Sequence, residues 1–316
     1  MQTPATARVA SDQASAARRT APGLDELGAA ERPARALFPA VAGRTLQQIA
    51  ELSHSTITLT AASGTFTPGF DRFAFGLSDS TTGYVYAPTA IYLAPSPVSM
   101  AQGPFLAPAD SMQVAPQYRS EQNAGPSGIK AIYDTGLQLS RAGVYDVLSL
   151  TRGPKGLIAA SNEIAVASSS PIPSVGSRPP AIATDTPSSV HGDTTLLTTR
   201  TPPENMHAVS FNTVLGKRPI ALLVSTPALC TSRVCGPVTD IMVELQHEYG
   251  SRVVFIHQEV FVDNDPARGL RPQLRAFHLE TEPWLFTVNR HGVIAARLDG
   301  AFGINEARRA LDAALS

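Results

Sequence analysis

Lysine is almost missing from this chain. Lys130, Lys155 and Lys217 are the only lysines among 25 basic residues, and the rest are arginine. Charge of either sign is scarce: 16% of the 316 residues are charged, against about a quarter in ordinary domains. The basic residues nearly balance 26 acidic ones, and neither sign forms a stripe or a run. Binding to nucleic acid through phosphate contacts is therefore excluded as the main function. No window of about 18 apolar residues occurs, so no transmembrane helix is expected. From Met1 to Ala30 there are three arginines (Arg8, Arg18 and Arg19) but no apolar run of the kind a signal peptide carries. The opening Met1-Gln-Thr-Pro4 fits a native start and the trimmed end of an exported protein equally well. Cysteine is the scarcest chemically useful residue type. Cys230 and Cys235 are the only two, so any thiol chemistry must happen at that pair.

What is present divides the chain into four parts. Residues 1–52, rich in Ala, Thr, Ser, Pro and Arg at their start, have little to bury and read as a disordered arm. A short helix is expected near its end, where Leu46, Ile49 and Leu52 recur at helical spacing. Residues 53–168 hold about seven short β-branched or aromatic segments, among them Arg72–Leu77, Gln113–Tyr118, Val144–Leu150 and Leu157–Ala167. Turn residues separate them, which is the pattern of an antiparallel β-sandwich. Residues 169–181 read as a stiff Pro/Ser-rich linker and the entry to the next domain. In 182–316 apolar strands at Ile220–Ser225, Val253–Ile256, Trp284–Val288 and Val293–Leu298 alternate with helical patterns. The last helix is expected to start near Asn305 as its cap. This is an α/β layout.

The two cysteines follow the apolar strand at Ala221–Ser225 and stand at the entrance of a helix. The helix dipole and unpaired N–H groups there favour a thiolate, the form that attacks disulfides. Pro237 suits the first turn of a helix. That places Cys230 in the preceding loop and Cys235 at the helix start. The pair has three readings by residue type: a redox couple, a metal site or an inert bridge. His257 and Glu259 end the strand Val253–Ile256 on the side where open α/β sheets carry ligands. They are candidates to tune the thiolate or hold a metal. His54, His191, His207, His247, His278 and His291 form no ligand pattern among themselves, and Asp263-Asn-Asp265 reads as a capping turn.

Several stretches resemble known families. Leu139-Ser-Arg-Ala-Gly143-Val-Tyr145 resembles the tyrosine corner of immunoglobulin-like domains. Thr226-Pro-Ala-Leu-Cys230-Thr-Ser-Arg-Val-Cys235-Gly236 resembles the active-site segment of peroxiredoxin Q-type proteins, with one extra residue before the first cysteine. Val175-Gly-Ser-Arg-Pro-Pro180, Gly216-Lys-Arg-Pro219 and Ala276 to Gly292 resemble the redoxin and TlpA branch of the thioredoxin-like superfamily. The resemblance implies a thioredoxin fold, a nucleophilic Cys230, a resolving Cys235 and a cis-proline at Pro283. It also implies a substrate groove shaped by Thr226, Pro227, Glu282 and Trp284. Glu282, Pro283 and Trp284 occupy the place of the peroxiredoxin arginine, which ranks peroxide reduction below disulfide exchange. Copper-handling Sco proteins are similar in pairing two close cysteines with a distant histidine. Copper on Cys230, Cys235 and His257 is thus the expectation from a second class. A non-catalytic binding protein with a redoxin scaffold is a third. The leading expectation is a two-domain thiol–disulfide oxidoreductase. It needs no cofactor beyond its cysteine pair and takes a protein or small-molecule thiol or disulfide as partner. An extracytoplasmic location fits the domain combination best.

Overall fold

The computed structural model describes residues 25–123 and 128–316. It is a β-rich, multidomain chain with three sheets and a few helices. The expected arm lies outside the described residues as far as residue 24. Residues 25–52 depart from that expectation. Glu26 donates its N–H to the Tyr86 carbonyl at 2.8 Å, and Ala30, Phe38, Leu46 and Ile49 are buried. Helix α1 (Leu27–Ala30) and helix α2 (Leu46–Ala50) belong to the folded body. At α2, Thr45 and Gln48 form a reciprocal capping box. Too few apolar side chains to make a core can still cover one, which composition alone does not reveal.

The sandwich has two sheets. In the first, β1 (Ser55–Thr56), β10 (Gly156–Val166), β9 (Gly143–Gly153), β5 (Thr89–Ala94) and β6 (Gln102–Ala107) lie in that order. In the second the order is β2 (Thr58–Ala61), β3 (Gly69–Asp79), β8 (Ala131–Leu139) and β7 (Ala109–Ser111), with β4 (Gly83–Tyr84) paired to β3. Alternation along each strand sends one set of side chains inward. Phe73, Phe75, Tyr133, Ile91, Leu93, Tyr145 and Val147 share one core. The Tyr145 hydroxyl donates to the Arg141 carbonyl at 3.2 Å and accepts from the Arg141 N–H at 3.2 Å, closing the corner before β9. The stretch Gln113–Tyr118 is not a strand. It ends in a 3-10 turn at Pro116–Tyr118 that leans on a helix of the other half, with the Ala115 N–H donating to Glu244 at 2.9 Å. A tertiary partner outcompetes sheet pairing there.

The third sheet runs β12 (Val254–Gln258), β11 (Ile220–Val224), β13 (Trp284–Val288) and β14 (Ile294–Asp299). β11 and β12 are parallel, and the other two pairings are antiparallel. Ala221, Leu223, Leu285 and Leu298 face helices α4 (Cys235–Tyr249) and α6 (Ile304–Leu315). Ile220, Leu222, Val224, Trp284 and Phe286 face α3 (Phe211–Val214) and α5 (Pro272–Phe277) on the opposite side.

The halves are not beads on a linker. Ala74, Met112, Val114 and Ile132 of the sandwich lie in the same apolar cluster as Val238, Ile241, Met242, Ala307 and Leu311 of α4 and α6. The outer face of the second sheet therefore packs on the helices that cover the third. The segment at 169–181 is itself pinned: Gly176 N–H donates to Ile294 O, and Ile294 N–H to Ser177 O, each at 2.9 Å. Gly300, at φ +73°, lets the turn after β14 touch the sandwich, since a Cβ there would fall 1.6 Å from the Ala62 carbonyl. The α6 N-cap is Gly303, not Asn305. Its free N–H groups are met from the sandwich, where Asp110 accepts from the backbone N–H of Asn305 at 3.2 Å and of Glu306 at 2.6 Å.

Candidate functional site

β11 ends in a turn in which the Cys230 N–H donates to the Thr226 carbonyl at 3.1 Å. Cys230 lies in that turn, and Cys235 is the first residue of α4. Both are unbridged and buried, at 9% and 0% exposure. The Cys235 thiol donates to the Cys230 sulfur, the strongest of the influences that lower the Cys230 pKa to about 5. Burial opposes that shift. The Ser232 hydroxyl, 3.1 Å from the sulfur, and the N–H groups of Val234 and Cys235 reinforce it. Cys235 goes the other way: burial and then the neighbouring Cys230 sulfur push its thiol well above the ordinary value. One cysteine is thus a thiolate at neutral pH and the other a proton-holding donor.

The Glu282–Pro283 peptide is cis. Glu282 is half-buried, and burial together with the charge of Cys230 raises its pKa. Its carboxylate and the two sulfurs all lie within 4.8 Å of one another. Ser232, Val234, Glu282 and Pro283 form one end of a cleft of about 1280 Å³, which the sandwich closes with Phe66, Leu77 and Tyr84. The expected groove needs correction at three positions. Thr226, Pro227 and Trp284 are buried and do not line the cleft. Trp284 stacks on Phe286 at 5.8 Å inside the core, because alternation along β13 turns it toward α3 and α5 and away from α4.

His257 does not join the cysteines. It is fully buried, with Nδ1 2.7 Å from Glu204 Oε1 and Nε2 2.9 Å from Ser225 Oγ. Burial opposes its protonation, but the Glu204 carboxylate holds its pKa above the ordinary value. Burial would raise the pKa of Glu204, yet His257 and His207 hold it well below the carboxylate range. His207 Nε2 reaches the same Glu204 oxygen at 2.6 Å. Glu259 accepts from the Thr199 N–H at 2.6 Å and from the Thr199 hydroxyl at 2.8 Å.

Sequence reasoning missed Glu204, His207, Asp240 and Arg200. Arg200 and Asp240 form a buried ion pair at 2.9 Å. Asp240 also accepts from the Ser120 N–H at 2.9 Å, tying α4 to the sandwich one turn beyond Cys235. The one available signal was an acidic residue inside the otherwise apolar helix pattern after Cys235; Glu204 and His207 lie in an irregular segment with no periodicity to mark them. A hydroxyl chain links the two regions, from His257 through Ser225 Oγ and Thr239 Oγ1 (2.9 Å apart) to the Cys235 carbonyl at 2.8 Å.

No model of a known protein family matches the chain, and a search of curated proteins finds none similar to it. Among the described residues no helix is long and apolar enough to cross a membrane.

Proposed function

We propose that this protein exchanges thiols and disulfides with a partner through Cys230 and Cys235, on a thioredoxin-like domain that follows an immunoglobulin-like sandwich. The observation that carries the reading is the placement of two unbridged cysteines side by side, Cys230 in the turn after β11 and Cys235 at the start of α4, in surroundings that lower the pKa of the first and raise that of the second. The sheet order, the helix after the first cysteine and the cis peptide at Pro283 support the domain reading. The Cys230 thiolate attacks one sulfur of a partner disulfide. A mixed disulfide forms and the other partner sulfur leaves as a thiolate. Cys235 then gives up its proton to that thiolate and attacks Cys230. The second partner sulfur is expelled, leaving a Cys230–Cys235 disulfide and a partner carrying two reduced sulfurs. Run in reverse, the same steps oxidise a dithiol, and the reduction potential sets the direction.

Thiol trapping and mass spectrometry in graded glutathione buffers test this. A reversible bridge between about −120 and −270 mV is the expected result. A bridge that persists below about −300 mV is structural and sinks the reading. If no bridge forms, the alternative is a soft metal ion between Cys230, Cys235 and Glu282, whose donor atoms are already gathered.

A further inference from the structure

The Glu204, His207 and His257 cluster lies apart from the cysteines and has no place in disulfide exchange. Its three donor atoms fall within 4.8 Å of one another, and all three side chains are at most 5% exposed. They come from two places, the irregular segment before α3 and the strand β12. A single oxygen, Glu204 Oε1, stands between the two imidazoles, whose ring centres are 5.3 Å apart. An ionised carboxylate donates nothing. Each of the two ring nitrogens therefore carries the hydrogen of its short contact with it, and a metal ion bound here would displace those two hydrogens.

We propose that Glu204, His207 and His257 form a binding site for a divalent first-row metal ion such as Zn²⁺. Around them stands the outer shell that metal ligands need. His257 directs its second nitrogen, Nε2, at the Ser225 carbonyl at 3.1 Å, and the second oxygen of Glu204 accepts from the Thr198 hydroxyl at 2.8 Å. Such partners fix the tautomer and orientation of ligating groups. The pocket around the cluster keeps further polar atoms without partners. His207 Nδ1 and Glu259 Oε2 are buried without partners, which is costly unless a bound group compensates. Glu259 is also close enough for its charge to act on His257, while the buried guanidinium of Arg200 is committed to Asp240. A surface cleft of about 650 Å³ has Glu204 in its lining, beside Arg200, Pro202, Pro203 and Asn205. Two imidazoles and one carboxylate with no thiolate suit Zn²⁺ and its divalent neighbours better than Cu⁺.

The test uses the full chain carrying Cys230→Ser and Cys235→Ser, so that thiolates cannot contribute ligands. The protein is stripped with a chelator and titrated with Co²⁺ while its visible d–d absorption is followed. Zn²⁺ retained after gel filtration is then counted, and its first shell is read by X-ray absorption. One equivalent is expected, with two imidazoles in the shell at about 2.0–2.1 Å. His207→Gln is expected to weaken binding at least 100-fold, and Thr198→Val about 10-fold or more through the outer shell. Failure to retain Zn²⁺ at micromolar concentration overturns the proposal. So does a first shell without two imidazoles, a result that does not depend on any variant folding.

Discussion

Cys230 and Cys235 show how much a few ångströms change one residue type. The first has N–H groups, a hydroxyl and a thiol aimed at its sulfur, whereas the second has burial and a neighbouring negative charge. Only the thiolate reacts with alkylating agents, so the rate follows its fraction. An ordinary cysteine, with a pKa of about 8.5, loses about tenfold in rate per unit below that value. Labelling of Cys230 by iodoacetamide is expected to stay nearly flat from neutral pH downwards and to fall with a midpoint near 5, the value its surroundings impose. Cys235→Ala removes the strongest of the stabilising donors, so the Cys230 midpoint should move upward and Cys230 labelling at pH 6 should drop several-fold. A wild-type midpoint above 8 would mean that the thiolate cradle does not exist in solution.

At the scale of elements, helix α6 shows that a cap need not be local. Its own N-cap, Gly303, has no side chain to offer, and its free N–H groups are met by Asp110 from β7. Gly303 is required because a Cβ there would lie 2.3 Å from the Asp110 carboxyl carbon. Losing a side-chain cap costs about 1–2 kcal/mol. Asp110→Ala should lower the unfolding free energy by that amount, read as a lower urea midpoint, while leaving the pH profile of Cys230 labelling unchanged, since none of the groups that set the Cys230 pKa lies on α6. Unchanged stability in urea would show that water caps the helix equally well.

For the whole molecule, the arrangement is a stack. Helix α2 covers the outer face of the first sandwich sheet, the second sheet lies beneath, then α4 with α6, then the mixed sheet, and α3 with α5 last. One residue staples the middle of this stack. Arg72 on β3 binds both oxygens of Glu306 at 2.5 and 2.7 Å and the carbonyls of Asp299 and Ala301 at 2.5 and 2.6 Å. Removing one partner of such a buried pair strands the other charge, at a cost of about 3 kcal/mol. Arg72→Met is therefore expected to lose about that much. Both halves should still melt in one transition, because they share the apolar cluster between β3, β8, α4 and α6. Two separated transitions in calorimetry of the wild-type protein would refute the shared core.

By itself the sequence determined the local order: alternating strands in one half, strands and helices in the other, a tyrosine corner, and two cysteines where a helix begins. These depend on periodicity, turn chemistry and neighbours a few residues away, which a linear reading retains. Only the tertiary structure decided that residues 25–52 are a covering layer, that Trp284 faces a core, and that His257 belongs to Glu204 and His207 instead of the cysteines. Each of those outcomes is set by a partner far along the chain. His257 meets a carboxylate 53 positions away, and Arg72 meets one 234 positions away. Burial and electrostatics act through space, and no spacing rule in the sequence encodes contacts at such separations.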